Sequence, residues 1–340
     1  MTSRQETQHQ GCTDFFLDLP PELRIEILNQ TPLQDIRQFI SASPALLGTF
    51  QRHRVSLLRH QLQNLLQVYG DERILPFAAF AVDLRALRAE CQHLTASELE
   101  EKLRPALNSI DSEECIRQPS AGYLDLPTLE KAQSLIPELC LAYHHHQERA
   151  PSLTQRPSSQ FLLEKAPYDD KFRFVERFLR FDCYCNIFYY GTQSLFSASR
   201  HVRTKFSSPF LLDRTSPIAT ERYPRTIIST IYKGHEDLIN RLHRSLLLRQ
   251  PKPVETPECW KQDVSTLRRN EFLDRSLYQE RAYLFHLVLG GHPRFAMLKS
   301  LAAEEFEHYT LEEFYRVVTA NPKQMEWLNQ WLRDHRLRWR

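Results

Sequence analysis

The residues that could do chemistry fall in a few clusters. Cys183-Tyr-Cys185 puts two thiols two positions apart. On a helix that spacing turns the side chains about 200° from each other, and zinc sites use Cys-x₂₋₄-Cys with a second pair. The expectation is two core thiols. His144-His145-His146 is the densest imidazole run. Consecutive helix positions diverge, and no HExxH pattern accompanies them, so a solvated helix end is expected. Glu-Glu pairs at 100–101, 113–114, 304–305 and 312–313 could supply acid–base carboxylates. Most lie in amphipathic stretches, where solvated faces are the ordinary outcome. Neither GxGxxG, GxxxxGK[ST] nor GxSxG occurs, which removes the sequence warrant for a nucleotide enzyme or an α/β-hydrolase.

Two basic stretches remain. Residues 200–225 carry Arg200, Arg203, Lys205, Arg214, Arg222 and Arg225 against Asp213 and Glu221. They read as a long basic loop with the option of an acidic partner. Lys323 to Arg340 reads as an amphipathic helix that docks Trp327, Leu328, Trp331 and Leu332 and exposes its arginines.

The elements that must position these groups are helical. The chain has 340 residues, 41% hydrophobic and 25% charged, enough for a sizeable core. A formal net charge of +2 gives no reason to expect nucleic acid. Eight glycines and twenty prolines fit helices with defined starts better than tight hairpins. Seven scattered cysteines, a polar opening at 1–10 and Thr2 after Met1 point to a reducing cytoplasmic or nuclear setting, without secretion or myristoylation. No apolar run approaches the ~20 residues of a membrane span, so no membrane is expected.

Residues 1–13 read as a disordered tail. Pro76–Gln92 reads as an apolar helix, with a capping box at Thr95-Ala-Ser-Glu98 opening the next. Residues 105–127 look turn-rich, and Thr128 to about Gln147 looks helical. Residues 149–160 are a candidate linker. Lys171–Ser199 carries Phe174, Phe178, Phe181 and Cys185 on one helical face, so this helix is expected to be central. Helices are also expected at Arg225–Arg249 and Asn270–Gly290, the latter stopping at Gly290-Gly291. Thr310-Leu-Glu-Glu313 reads as a second capping box, with Asn321-Pro322 ending its helix. Strand signals are weak throughout, so the expected fold class is all-α.

The most informative segment is Phe15–Leu58. Prolines mark three helix starts: Pro20-Pro21 with Asp18 as cap, Thr31-Pro-Leu-Gln34 as a capping box, and Ser43-Pro44. At 100° per residue, Leu23 and Ile27 share one stripe of the first helix, and Ile25 and Leu28 share the opposite one. A helix of about nine residues cannot bury both stripes in so small a unit. One can pack on Leu33, Ile36, Phe39 and Ile40, and the other needs a further surface.

The order Leu19-Pro20-x-Glu22-Leu23, Ile27-Leu28, Leu33, Ile36, then Ala42-Ser43-Pro44, Arg54 and Leu57-Leu58 resembles the F-box, in the variant common in fungal proteins. The resemblance covers roughly residues 15–60. The Cys/Ser-Arg-x-Trp ending of many F-boxes is absent. The resemblance implies a three-helix F-box over 14–67 and a larger irregular helical domain over 68–340. It further implies that Leu19, Pro20, Leu23, Ile27 and Leu28 insert into a groove of a Skp-type adaptor, with Leu33 and Ile36 in support. The chain would then be a substrate receptor of a Skp–cullin–F-box-type ubiquitin ligase, bringing an unidentified protein client. No catalytic residue, cofactor or metal is implied, since ubiquitin transfer is carried out by other subunits. Two alternatives are an F-box-like scaffold acting outside a ligase, and an enzyme whose pocket is lined by the Tyr/Phe/His-rich middle helices. A deep polar pocket holding a shifted His or carboxylate would favour the latter.

Overall fold

The computed structural model describes residues 14–111, 125–149, 162–190, 193–196, 224–249 and 264–319. The tail at 1–13, the linker from residue 150, most of the basic loop, the Glu113-Glu114 pair, the Asn321-Pro322 break and the C-terminal amphipathic helix lie outside them. The described chain is all-α apart from one two-residue hairpin. It divides into two compact units, Met1–Ala79 with Gln118–Ile136, and Phe80–Arg117 with Pro137–Arg340. The 14–67 segment lies wholly in the first unit, which runs on beyond it.

In the first unit, α1 (Pro21–Gln30) and α2 (Leu33–Ala42) pack on α3 (Pro44–Tyr69). The third helix is not short: it runs 26 residues, because Leu57, Leu58, Leu65, Val68 and Tyr69 keep its inner face buried well past the third proline signal. Two expected caps are corrected. Pro20 occupies the N-cap of α1, without any side-chain bond, and Asp18 plays no part. Thr31 closes α1 rather than opening α2, its hydroxyl donating to the Ile27 carbonyl at 2.6 Å. The Ser43 cap forms as expected, accepting from Leu46 N at 3.0 Å. Asp14 reinforces it from 29 positions away, accepting from the Ser43 hydroxyl at 2.8 Å and from Ala45 N at 3.0 Å. These bonds hold the Asp14 carboxyl below its ordinary pKa. Tyr69 closes the unit, donating to the Ala132 carbonyl of α6 (Leu126–Arg149) at 2.6 Å.

The second unit is built round two helices buried on nearly every side. In α7 (Tyr168–Phe188) the expected face of Phe174, Phe178, Phe181 and Cys185 is buried, as are Val175, Leu179, Cys183 and Ile187 on its other faces. In α10 (Leu277–Leu289), Ala282 to Leu289 are all buried. A helix buried on nearly every face is a core helix, and α7 takes the charged Lys171, Glu176, Arg180 and Asp182 inside with it. Around them lie α4 (Leu75–Glu90), α5 (Ala96–Asp111), α8 (Pro224–Leu248), α9 (Val264–Leu273), α11 (Gly291–Ser300) and α12 (Ala303–Phe314), which ends in a π-helical turn, Tyr315–Thr319.

Several boundaries differ from expectation. The Thr95/Glu98 box forms and opens α5, but the helix continues through Pro105. The lost hydrogen bond is outweighed because Leu103, Leu107 and Ile110 bury one continuous face. The α7 helix ends at Phe188, where β1 (Tyr189–Tyr190) turns away to pair antiparallel with β2 (Gln193–Ser194). The expected helix from Asn270 is two, because Ser276 and Gln279 form a true capping box that restarts the chain as α10. Gly290-Gly291 does end α10, but Gly291, at φ +74°, turns directly into α11. Thr310 is buried inside α12 and caps nothing, since that helix starts seven residues earlier.

Candidate functional site

Two features stand out, one in each unit. The first is the surface of α1 and the turn before it. Leu28 is 1% exposed and joins the core with Leu33 and Ile36, so these three hold α1 and α2 from inside. This corrects Leu28 as a surface contact: its stripe is the one the unit itself covers. Leu23, on the other stripe, is 51% exposed, and Ile27 and Leu19 are half-buried beside an exposed Pro20. Phe15 and Leu17, in the turn pinned by Asp14, are 85% and 67% exposed. Phe39 of α2 is also exposed and lies near Phe16, with ring centroids 6.3 Å apart. The stripes therefore differ at one residue each, Leu28 inward and Leu23 to solvent, while Ile25 and Ile27 are both half-buried.

The second feature is an open cleft of about 500 Å³ in the second unit, walled by α4, α7, α10, α11 and the end of α12. On one side Arg85 of α4 forks between two carboxylates. It donates to Asp182 at 2.8 and 2.7 Å and to Glu138 at 2.5 and 3.0 Å. Burial pulls the Arg85 guanidinium down, but the two carboxylates overcompensate and hold it above its ordinary pKa. Burial pushes the Asp182 carboxyl up against the Arg85 bonds. The Glu138 carboxyl is raised by burial, then brought below its usual range by His292 and Arg85.

On the other side Glu313 gathers three donors. His286 Nε2 lies 2.8 Å from Oε1, Arg294 donates at 2.7 Å, and Arg316 donates to both oxygens at 2.7 and 2.9 Å. Burial raises the Glu313 carboxyl, but these donors hold it well below the carboxylate range. Burial lowers His286 to about 4, against the opposing pull of Glu313. A neutral ring with Nε2–H toward the carboxylate leaves Nδ1 to accept from the Tyr189 hydroxyl, with which it is in contact. The chain Tyr189–His286–Glu313 has the connectivity of an acid–base relay. Its hydroxyl end is nevertheless a buried phenol whose pKa burial pushes far up, so it is held protonated. The chain ties the end of α7 to α10 and α12.

The histidine and carboxylate expectations are corrected in part. Glu304, Glu305 and Glu312 are exposed, and Glu101 is too. Glu313 is drawn in because α12 runs past it with the carboxylate facing His286 and Arg294. His145 is 4% exposed, not solvated, with its ring against those of His292 and Phe295. His146 is half-buried, with Nδ1 3.1 Å from the Thr230 hydroxyl. Only His144 of the run is exposed. Cys183 and Cys185 are buried thiols, Cys185 at the cleft wall with its pKa raised by burial. Among the described residues no group of His, Cys, Asp and Glu could hold a metal ion, and no helix is long and apolar enough to cross a membrane.

Sequence reasoning missed the cleft. Arg85, Arg88, Asp182, His286, Arg294 and Arg316 come from five separate segments, and the one available signal was charged residues inside otherwise apolar helices. The chain matches no protein-family model, no curated protein and no solved structure.

Proposed function

We propose that the protein is a substrate-receptor subunit of a Skp–cullin–F-box-type ubiquitin ligase, holding a Skp-type adaptor through the surface of α1 and, through it, a cullin. The second unit would engage a protein client, and the protein would act in the cytoplasm or nucleus without itself catalysing transfer. Support comes from the F-box resemblance of residues 15–60 together with one observation: α1 exposes Leu23 while burying Leu28. An apolar side chain left in solvent beside the exposed Phe15 and Leu17, on a helix whose Leu28 is core, fits a partner-binding surface. Phe15, Leu17, Leu19, Pro20 and Ile27 extend it, and Leu33 and Ile36 support it from inside.

The test is capture of a Skp-type adaptor by the intact protein, under conditions where an established F-box protein captures it. Leu23→Asp with Ile27→Asp is expected to weaken capture by about 30-fold or more, as hot-spot residues do. Circular dichroism should meanwhile show an unchanged helical content. Absence of capture by the unaltered chain refutes the proposal. Loss of the whole fold in the variant would mean the stripe is internal core, and capture of the adaptor without cullin would favour a scaffold outside a ligase.

A further inference from the structure

The cleft charges do not balance. Among the described residues four arginines line it, Arg85, Arg88, Arg294 and Arg316, against two carboxylates, Asp182 and Glu313. Arg85 is matched by Asp182 and by Glu138, and Arg294 and Arg316 share Glu313. Arg88 has no carboxylate partner among the described residues. Its Nη2 donates to the Tyr189 carbonyl at 3.2 Å, its guanidinium lies 4.9 Å from the centre of the Tyr190 ring, and its Nη1 is buried without an acceptor. A half-buried guanidinium with an idle donor, in a cleft of net positive charge, lacks an anion.

The surroundings of Arg88 and the cleft lining say what kind of anion. Tyr190, whose hydroxyl donates to the carbonyls of Gln92 and Leu94 at 2.7 and 2.9 Å, fixes the plane on which Arg88 rests. The guanidinium is thus held in place before any ligand arrives. Leu289, Pro293 and Met297 form an apolar wall in the same cleft. About 500 Å³ lies within the roughly 300–1,000 Å³ of small-molecule sites. We propose that this cleft binds a small organic anion, its carboxylate or phosphate paired with Arg88 and its apolar body against Leu289, Pro293 and Met297.

The experiment uses the full chain and three six-carbon probes, hexanoate, hexyl phosphate and hexanol, at one ionic strength set with sodium chloride. The unfolding midpoint is read by circular dichroism and binding by calorimetry. One or both anions should raise the midpoint by roughly 3 °C or more at concentrations far above their dissociation constants. Hexanol should leave it unchanged. Hexanoate acting alone identifies a carboxylate ligand, and hexyl phosphate acting alone a phosphate. Arg88→Met should weaken anion binding by at least about tenfold. If Arg88→Met does not fold, Met297→Glu decides. Met297 is exposed, and an acidic side chain on that wall should repel the anion to a similar degree. No shift with either anion overturns the proposal. So does an equal shift with hexanol, or unchanged anion binding in whichever variant folds.

Discussion

His286 should make the second unit lose stability as the medium is acidified, by an amount the structure fixes in sign and size. The ring is fully buried, and burial lowers its pKa from 6.5 to about 4. Below pH 6.5 the unfolded chain takes up a proton that the folded chain refuses, so unfolding is favoured. The stabilising contribution is therefore complete above the unfolded pKa and is lost as pH falls toward the folded one. Between about pH 7 and about pH 5 one histidine shifted this far accounts for about 2 kcal/mol, from 1.36 kcal/mol per pKa unit over the part of the window crossed. His286→Gln keeps an N–H for Glu313 and removes the titration. Urea unfolding followed by circular dichroism, at both pH values and on both proteins, isolates the effect by subtraction. His146 and His243, also lowered by burial, titrate alike in the two and cancel. The variant should be less stable at neutral pH yet lose about 2 kcal/mol less on acidification. An identical loss in both proteins would refute a neutral buried His286, and with it the reading of Tyr189–His286–Glu313 as a structural tie.

Leu28→Ala should cost about 2–5 kcal/mol in the first unit, where Leu23→Ala should stay within about 0.5 kcal/mol, measured as urea midpoints. Arg85→Leu leaves Asp182 buried without its cation and should cost about 3–5 kcal/mol. Asp182→Asn in the same background should recover part of that loss, and failure to do so would mean the pair is not what holds α4 to α7. Ser43→Ala removes the α3 cap and the anchor for Asp14, with an expected loss of about 1–2 kcal/mol by thermal unfolding. Gly234→Ala places a methyl carbon 2.5 Å from the Phe295 ring and should cost about 1–3 kcal/mol through overpacking.

Much of the fold is legible because it is local. The Ser43 and Thr95–Glu98 caps involve residues three apart, and both form. The Phe174, Phe178, Phe181 face needs only the helical period, and it is buried. The two stripes of α1 could be drawn on a wheel. Which stripe would be covered could not, because that depends on where α3 lies. Locality also misleads where two local codes coincide. Thr310 and Glu313 have the spacing of a capping box but sit inside a helix begun upstream, and Pro105 reads as a break that buried leucines override.

The cleft belongs entirely to the tertiary structure. Arg85 meets Glu138 across 53 positions and Asp182 across 97, and His286 meets Glu313 across 27. Composition shows these charges, and periodicity places some of them on apolar helices, without naming their partners. The sequence by itself determined that the chain is helical, where several helices start, and that α1 carries an apolar stripe to spare. Packing alone decided that Leu23 faces solvent, that His145 and Glu313 are drawn inward, and that Arg88 has no carboxylate partner among the described residues. The physical reason is that backbone hydrogen bonds and caps close within a turn or two, whereas burial and charge pairing are set by segments that meet only once the chain has folded.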